Sequence, residues 1–169
     1  MAVIELLLLR HGIAAERSPE RPDVGRALTE RGRQRSRAVL ERAVALGLQG
    51  DRLISSPLTR ARQTAEIALS AGLAPALELS SALEPGSDPL ALLATWLGAM
   101  PGVSLERRRL VLVGHEPELG QLASRLLGAP PGAIELRKSG LALLRLASPA
   151  AEAGTASLQL LLRPKTLLA

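Results

Sequence analysis

Short apolar runs alternate with amphipathic segments along most of this chain, and this alternation is the strongest constraint on its fold. Residues 6–9 and 110–113 are apolar throughout, and both runs are too short for a typical helix. Segments with apolar residues at helical spacing lie between such runs. Strands that are apolar on both faces belong to a parallel sheet with helices on each side. The pattern therefore predicts an α/β fold, a three-layer α/β/α sandwich with a mostly parallel central sheet.

Element boundaries follow from the same periodicity together with capping residues. A helix capped by Thr29 is predicted to run to about Leu46, which lies on its buried face. The next helix is predicted to begin with Ser56 as N-cap and Pro57 as its first residue. The remaining pattern predicts strands at residues 4–9, 52–55, 76–79, 110–113, 140–146 and 157–162, and later helices that begin near residues 89 and 117.

The composition is that of one domain with an aliphatic core. The chain has 169 residues, 47% of them hydrophobic, and Trp96 is its single aromatic residue. That length suits a single domain over residues 1–169. The absence of cysteine excludes disulfides, thiolate nucleophiles and cysteine-ligated metals. Glu5 interrupts the apolar start and no apolar run is long enough to cross a bilayer, so we expect a cytoplasmic protein without a membrane partner.

The formal net charge of +5 makes nucleic acid a partner to consider. Four arginines occupy every second position from Arg31 to Arg37 in a predicted helix, so we expect them to fan around it. Residues 107–109 are all arginine, directly before a predicted strand, and are expected to form a solvated turn. Without Phe or Tyr the chain has no aromatic platform on which bases could stack. Nucleic acid is therefore not the expected partner.

Cationic and imidazole side chains follow three of the predicted strands. Arg10 and His11 come directly after the first strand. Arg60 lies early in the helix after the second strand, and His115 follows the strand at residues 110–113. Ligands of parallel α/β sheets bind at the carboxyl ends of the strands. If these strands are neighbours, both histidines of the chain and two arginines meet at one place.

Two arginines and two histidines form a site suited to a phosphoryl group. Guanidinium groups match phosphate oxygens in pairs, and nearby cations lower the pKa of histidine, which leaves a neutral and nucleophilic imidazole. One histidine can then attack phosphorus while the second hydrogen-bonds the oxygens. The chain has no G-x-S-x-G serine elbow and no G-x-x-x-x-G-K-[ST] loop, and two arginines beside two histidines are a poor site for a metal ion.

Three segments resemble the motifs of the histidine phosphatase, or phosphoglycerate-mutase-like, superfamily. The first is "RHG" at residues 10–12. The second is "SSPLTRARQTAEIA" from residue 55, similar to the pattern S-P-x-x-R-A-x-Q-T, and the third is "LVGHEPEL" from residue 112. The "RHGIA" segment further resembles the R-H-G-x-A of the small SixA-like phosphohistidine phosphatases.

The resemblance implies a metal-independent phosphatase that works through a phosphohistidine intermediate. His11 would accept the phosphoryl group, and water would then hydrolyse the intermediate. The resemblance implies neither a metal nor an organic cofactor, and it implies one histidine phosphatase domain over residues 1–169. The residues that would bind the transferred group are Arg10, Gly12, Arg60 and His115.

The general acid and the substrate stay open at this point. Glu84 is a candidate acid in the loop after the third strand, with an exposed loop carboxylate as the equal alternative, while Asp88 is expected to cap the following helix. The first function is removal of phosphate from a phosphohistidine-bearing protein. The second is hydrolysis of a small phosphomonoester, such as a sugar phosphate or a nucleotide-pathway intermediate. The third is a non-catalytic module that binds phosphate or nucleic acid, against which the full set of histidines and arginines argues.

Overall fold

Six strands form one mixed sheet in the computed structural model, which describes residues 3–99 and 106–169. In the order β3-β2-β4-β1-β5-β6, the first four strands are mutually parallel, and β5 runs antiparallel to both of its neighbours. The mostly parallel sheet is therefore confirmed. The strands are β1 (Ile4–Arg10), β2 (Arg52–Ser55), β3 (Leu77–Leu79), β4 (Arg108–Gly114), β5 (Leu141–Leu146) and β6 (Ala156–Leu162).

Helices cover both faces of the sheet and confirm the three layers. Helices α1 (Glu30–Ala45) and α2 (Thr59–Ser70) pack on one face, and α3 (Leu90–Gly98) and α4 (Glu118–Leu126) pack on the other. A short helix, α5 (Pro164–Leu167), follows β6. No helix in the described ranges has the length and hydrophobicity that crossing a membrane requires.

The core is divided between the two faces of β1. Leu6 and Leu8 pack with Trp96 of α3, whereas Leu7 and Leu9 pack with helices α1 and α2 on the other face. All four leucines are fully buried, and each contributes about 1.5–3 kcal/mol on transfer from water. Burial on both faces explains why this strand is a continuous apolar run.

The ends of two helices depart from the sequence prediction. Thr29 caps α1 as predicted, since its hydroxyl accepts the Gly32 amide at 2.9 Å. Leu46, however, is half exposed, because α1 ends at the residue before it and the chain turns away. Met100, which periodicity places on the apolar side of α3, lies outside the described residues.

Helix α2 begins two residues later than the sequence predicts. Its N-cap is Leu58, and its first helical residue is Thr59, so Pro57 lies outside the helix. The Ser56 hydroxyl accepts the Leu58 amide at 3.3 Å but also hydrogen-bonds His115. Ser56 is drawn towards the neighbouring strand and does not occupy the N-cap position.

The arginine run before β4 is not a solvated turn, and that prediction was wrong. Strand β4 already includes Arg108, and the Arg109 side chain is only 4% exposed. Arg109 Nε and Nη2 donate to the carboxylate of Glu5 on β1, at 3.0 and 2.6 Å. Arg145 of β5 donates to the other oxygen of Glu5 at 3.1 Å. A buried carboxylate from a distant part of the chain therefore holds Arg109 in the sheet.

Candidate active site

The carboxyl ends of β1, β4 and β2 lie side by side, with β4 in the middle. Arg10 at the end of β1 is in register with Gly114 at the end of β4, and Ser55 of β2 is in register with Val113. The predicted adjacency of these strands is confirmed. Residues that directly follow the three strands therefore share one edge of the sheet.

His11 is a neutral imidazole with a defined tautomer. Its Nδ1 lies 2.8 Å from the carbonyl oxygen of Gly12, and because a carbonyl only accepts, Nδ1 carries the proton. The lone pair is therefore on Nε2, to which Arg60 Nε donates at 3.3 Å. Burial lowers the pKa of His11 to about 3, and the nearby His115 and two guanidiniums act in the same direction. At neutral pH the ring keeps the lone pair that a nucleophile needs.

His115 lies next to His11, with ring centroids 5.2 Å apart. Its Nε2 is 2.8 Å from the hydroxyl of Ser56, which accepts the Leu58 amide and still has its own hydrogen to donate to Nε2. With Ser56 as the donor in this contact, the His115 proton is on Nδ1, a buried atom without a hydrogen-bond partner among the described residues. Burial, and then the charge of Arg60, lowers the pKa of His115 to about 4. The second imidazole is thus also neutral, with a donor available to a bound anion.

Arg60 enters the site from the first turn of α2 and is only 3% exposed. Its Nη1 donates to the backbone oxygen of Asp23 at 2.9 Å, and its Nη2 donates to the Asp23 carboxylate at 3.3 Å. Although some burial opposes it, the charge of Arg60 and a hydrogen bond from Arg26 hold the pKa of Asp23 below its usual value. An ionised carboxylate therefore fixes the guanidinium beside the His11 ring.

Arg10 is anchored through its backbone and one end of its side chain. Its Nη1 donates to the carbonyl of Leu136 at 2.9 Å, while its buried Nε has no partner in the described part of the chain. The Ser139 amide donates to the carbonyls of Arg10 and His11 at 3.1 and 3.2 Å. Ser139 adopts φ of 60°, a left-handed conformation that costs a non-glycine residue energy. The turn before β5 thus holds the end of β1 in place.

Gly12 allows three segments to approach one another closely. Its amide donates to the hydroxyl of Thr64 on α2 at 3.0 Å. A Cβ atom at this position would collide with the Ser36 hydroxyl of α1 and lie 3.2 Å from the Ser139 hydroxyl. A side chain at position 12 would therefore disturb the hydrogen bond between these two hydroxyls, which are 2.8 Å apart.

The structure does not bring Glu84 into contact with the other candidate residues. Glu84 follows a 3₁₀ turn at Ser81–Leu83, and in the described ranges its side chain makes no hydrogen bond or ion pair with His11 or His115. Asp88 accepts the Leu90 amide at 2.9 Å at the start of α3. The N-cap of α3 is Pro89, so Asp88 binds the first helical amide from the position before the cap that the sequence predicts for it. Glu84 as the acid stays a prediction.

Comparisons with known proteins show the family to which this chain belongs. A family model of the histidine phosphatase superfamily, branch 1, matches residues 6–84. An uncharacterized protein of Picosynechococcus sp. is 40% identical over 167 residues, which cover 98% of this chain and 99% of that protein. The structure of the protein histidine phosphatase SixA complexed with tungstate is similar over 96% of this chain and 99% of that one, with TM-score 0.79 and 25% identity. The chain belongs to the histidine phosphatase superfamily.

Membership together with the likeness to phosphatases makes this chain a hydrolase, a metal-independent phosphatase that is SixA-like. A mycobacterial glucosyl-3-phosphoglycerate phosphatase shares the fold, with TM-score 0.73 and 19% identity over 94% of this chain and 98% of that one. Because one fold carries enzymes with different substrates, the fold alone does not select the substrate of this histidine phosphatase.

Sequence reasoning missed three supporting residues of this histidine phosphatase. Ser56 and Thr64 lie inside the segment that resembles the second motif, and Thr64 follows Arg60 by one helical turn, so their place near the site could have been inferred. Asp23 lies in the segment between β1 and α1, which has no periodic pattern. No sequence signal connects Asp23 with Arg60.

Proposed function

We propose that this histidine phosphatase removes phosphoryl groups from histidine side chains of proteins. The observation that carries the proposal is the state of Asp23, the carboxylate in contact with Arg60. Burial raises the pKa of Asp23, but Arg60 and Arg26 lower it by more, so the net pKa lies below its usual value. The carboxylate is therefore ionised and is a poor proton donor to a leaving alkoxide. An imidazole leaving group depends less on such an acid, because the P–N bond is more labile. The likeness to the SixA protein histidine phosphatase supports the same substrate class.

In the proposed reaction His11 is the nucleophile. The Nε2 lone pair attacks phosphorus, the P–N bond to the substrate histidine breaks, and the departing imidazole takes up a proton from solvent. The phosphorylated His11 ring gains positive charge, which its Nδ1–H bond to the Gly12 carbonyl stabilises. Water then attacks phosphorus, the bond to Nε2 breaks, and inorganic phosphate leaves.

The remaining site residues hold the phosphoryl oxygens in this proposal. Two buried nitrogens have no hydrogen-bond partner among the described residues, Nε of Arg10 and Nδ1 of His115. Each is placed to donate a hydrogen bond to a phosphoryl oxygen. Arg60 already lies 3.3 Å from the attacking nitrogen, so its guanidinium is placed to neutralise charge at the reacting phosphorus. Gly12 lets the backbone after His11 pack closely against Ser36 and Ser139, which keeps the His11 ring in place beneath the phosphoryl group.

We also propose that residues 1–169 form one histidine phosphatase domain. The family model covers residues 6–84, but His115 follows β4 and the Ser139 amide binds the backbone at Arg10. Both halves of the chain are thus needed to complete the site.

The substrate class is tested by comparing a phosphorylated histidine phosphotransfer domain with sugar phosphates and nucleoside monophosphates. We expect kcat/KM for the phosphoprotein to exceed that for every small ester by about tenfold or more, equivalent to about 1.4 kcal/mol. A higher kcat/KM for one small ester would contradict the proposal and favour the phosphomonoester reading. In the same assays, Glu84→Gln should alter the pH profile of ester hydrolysis if Glu84 is the acid, and an unchanged profile rejects that role.

A further inference from the structure

A second cationic surface borders the phosphoryl site. It is a groove of about 480 Å³, here termed the basic groove, and Arg10 lies on its wall. Apart from Arg10, its cations come from the start of α1, from the turn before β5 and from the segment after β6. They are Arg31, Arg35, Arg137, Lys138, Arg163 and Lys165.

The topology of the sheet brings these three segments together. Strand β5 is antiparallel to β1 and therefore begins at the edge where β1 ends, and β6 runs back to finish at that edge. Helix α1 begins there too, because the Thr29 amide donates to the Ile13 carbonyl at 3.0 Å. The groove thus lies at the same edge of the sheet as His11.

The charge of the basic groove is largely uncompensated. Arg137 has an ion pair with Glu135, at 3.7 Å. In the described ranges, the other six cations of the groove have no ion pair with a carboxylate, whereas several arginines elsewhere do, such as Arg52 with Glu78 at 2.6 Å. Like charges held close together repel one another and attract anions. The groove is therefore suited to a ligand with several negative charges.

Arg31 and Arg35 show how the groove escapes sequence analysis. The four arginines from Arg31 to Arg37 do not all point in different directions, because Arg31 and Arg35 are one helical turn apart and line the same groove. Arg33 and Arg37 lie on the other side of α1. Two like charges at this spacing weaken a helix, a cost that a bound anion would remove.

We propose that the basic groove binds carboxylate side chains of the protein substrate next to its phosphohistidine, an inference that rests on the proposed function. Arg10 directly precedes His11 and lines the groove, so a ligand there is close to the transferred group. Six further cations from three segments exceed what one small anion can contact. An acidic stretch of polypeptide supplies several carboxylates at separate positions, which matches a groove of mostly exposed cations.

Two phosphohistidine peptides test the proposal, identical except that the glutamates flanking the phosphohistidine in one are glutamines in the other. We expect wild-type kcat/KM to be about tenfold or more higher for the glutamate peptide at low ionic strength, and the preference to shrink towards about 1 M salt. The double variant Arg163→Gln/Lys165→Gln should lose most of this preference. The matched control Arg33→Gln/Arg37→Gln removes the same charge from the opposite side of α1 and should keep it.

Hydrolysis of an aryl phosphate by the same variants separates docking from catalysis and folding. An equal loss on the aryl phosphate and on the glutamate peptide would overturn the groove assignment, as would an equal loss of preference in the control variant. Equal wild-type rates on both peptides would overturn it and leave the proposed function standing. Hydrolysis of small esters with neither peptide cleaved would overturn the proposed function and this inference together.

Discussion

Two buried arginines lie at opposite ends of the sheet and differ in what surrounds them. Arg109, at the start of β4, is 4% exposed, and each of its three guanidinium nitrogens donates a hydrogen bond, to the Glu5 carboxylate or to the carbonyls of Gly47 and Gln49. Arg60, near the carboxyl ends of the strands, is 3% exposed. It pairs with the partly exposed Asp23, which also pairs with Arg26, and it donates a hydrogen bond to the His11 imidazole. The charge of Arg109 is neutralised by a buried carboxylate, whereas the charge of Arg60 acts on the ligand site.

The comparison shows that burial alone does not distinguish a functional cation from a structural one. A buried ion pair with complete hydrogen bonding mainly fixes the register of the strands that carry it, here Glu5 of β1 and Arg109 of β4. Burial lowers the pKa of each imidazole, and a buried arginine beside the two rings raises the local potential and lowers it further. The four predictions below separate stability from activity along this line.

The largest expected effect is on stability. Arg109→Ala leaves the buried Glu5 with Arg145 as its remaining ion-pair partner among the described residues, and should lower the free energy of unfolding by about 3–5 kcal/mol. Urea unfolding measures this. Arg108→Ala removes a neighbouring, more exposed pair with Asp51 and should cost less than about 1 kcal/mol. Equal losses for the two variants would contradict the structural role of Arg109.

Arg60→Ala should instead act on catalysis. Loss of one donor at a reacting centre typically lowers kcat by about 10²–10³-fold, or about 2.7–4 kcal/mol. We expect that loss in aryl phosphate hydrolysis, with a smaller change in unfolding than for Arg109→Ala. Arg62→Ala, on the exposed side of the same helix, is the control and should keep the wild-type rate. A wild-type rate in Arg60→Ala would remove Arg60 from the site.

Ser56→Ala should have a smaller effect on the same reaction. The substitution removes the 2.8 Å hydrogen bond that orients His115, a contact worth about 0.5–1.5 kcal/mol, so kcat/KM should fall about two- to tenfold. Ser56→Thr keeps a hydroxyl and should recover part of the activity. An unchanged kcat/KM in Ser56→Ala would show that His115 needs no orienting partner.

The smallest effect is that of mild acid on the free enzyme. The pKa values of about 3 for His11 and about 4 for His115 keep both rings neutral as the pH falls through 6 and 5, so kcat/KM, corrected for substrate ionisation, should hold until it is about halved near pH 4. Both values lie below those of unfolded histidine, so the unfolded chain binds more protons. Stability should therefore fall as the pH drops below about 6.5. A rate that is halved already near pH 6.5 would show that a site imidazole is not shielded.

Much of the fold was predictable because continuous apolar runs identify buried strands. Strand β2 has the predicted bounds, Arg52–Ser55, and the order of elements is as expected. The prediction failed where a side chain is used by a distant partner. Ser56 looks like a helix cap but binds His115, and Arg109 looks solvated but pairs with Glu5, 104 residues away in the chain.

The site shows the same division between local and long-range information. His11 and Arg60 stand in motifs whose spacing predicts them, and the structure brings them within 3.3 Å of each other. Asp23 was not predictable, because its contact with Arg60 depends on the path of the segment between β1 and α1. The basic groove was not predictable either, since its cations come from three segments that only the sheet topology joins.

The central claim is that the Nε2 atom of His11 attacks phosphorus, and trapping the phosphoenzyme tests it most directly. The enzyme is mixed rapidly with an excess of aryl phosphate, quenched under alkaline conditions that preserve P–N bonds, and digested for mass spectrometry. The account predicts a phosphoryl group on the peptide that contains His11, absent from His11→Ala, and the same intermediate in the presence of EDTA. A phosphoryl group on another residue, or wild-type turnover by His11→Ala, would contradict it.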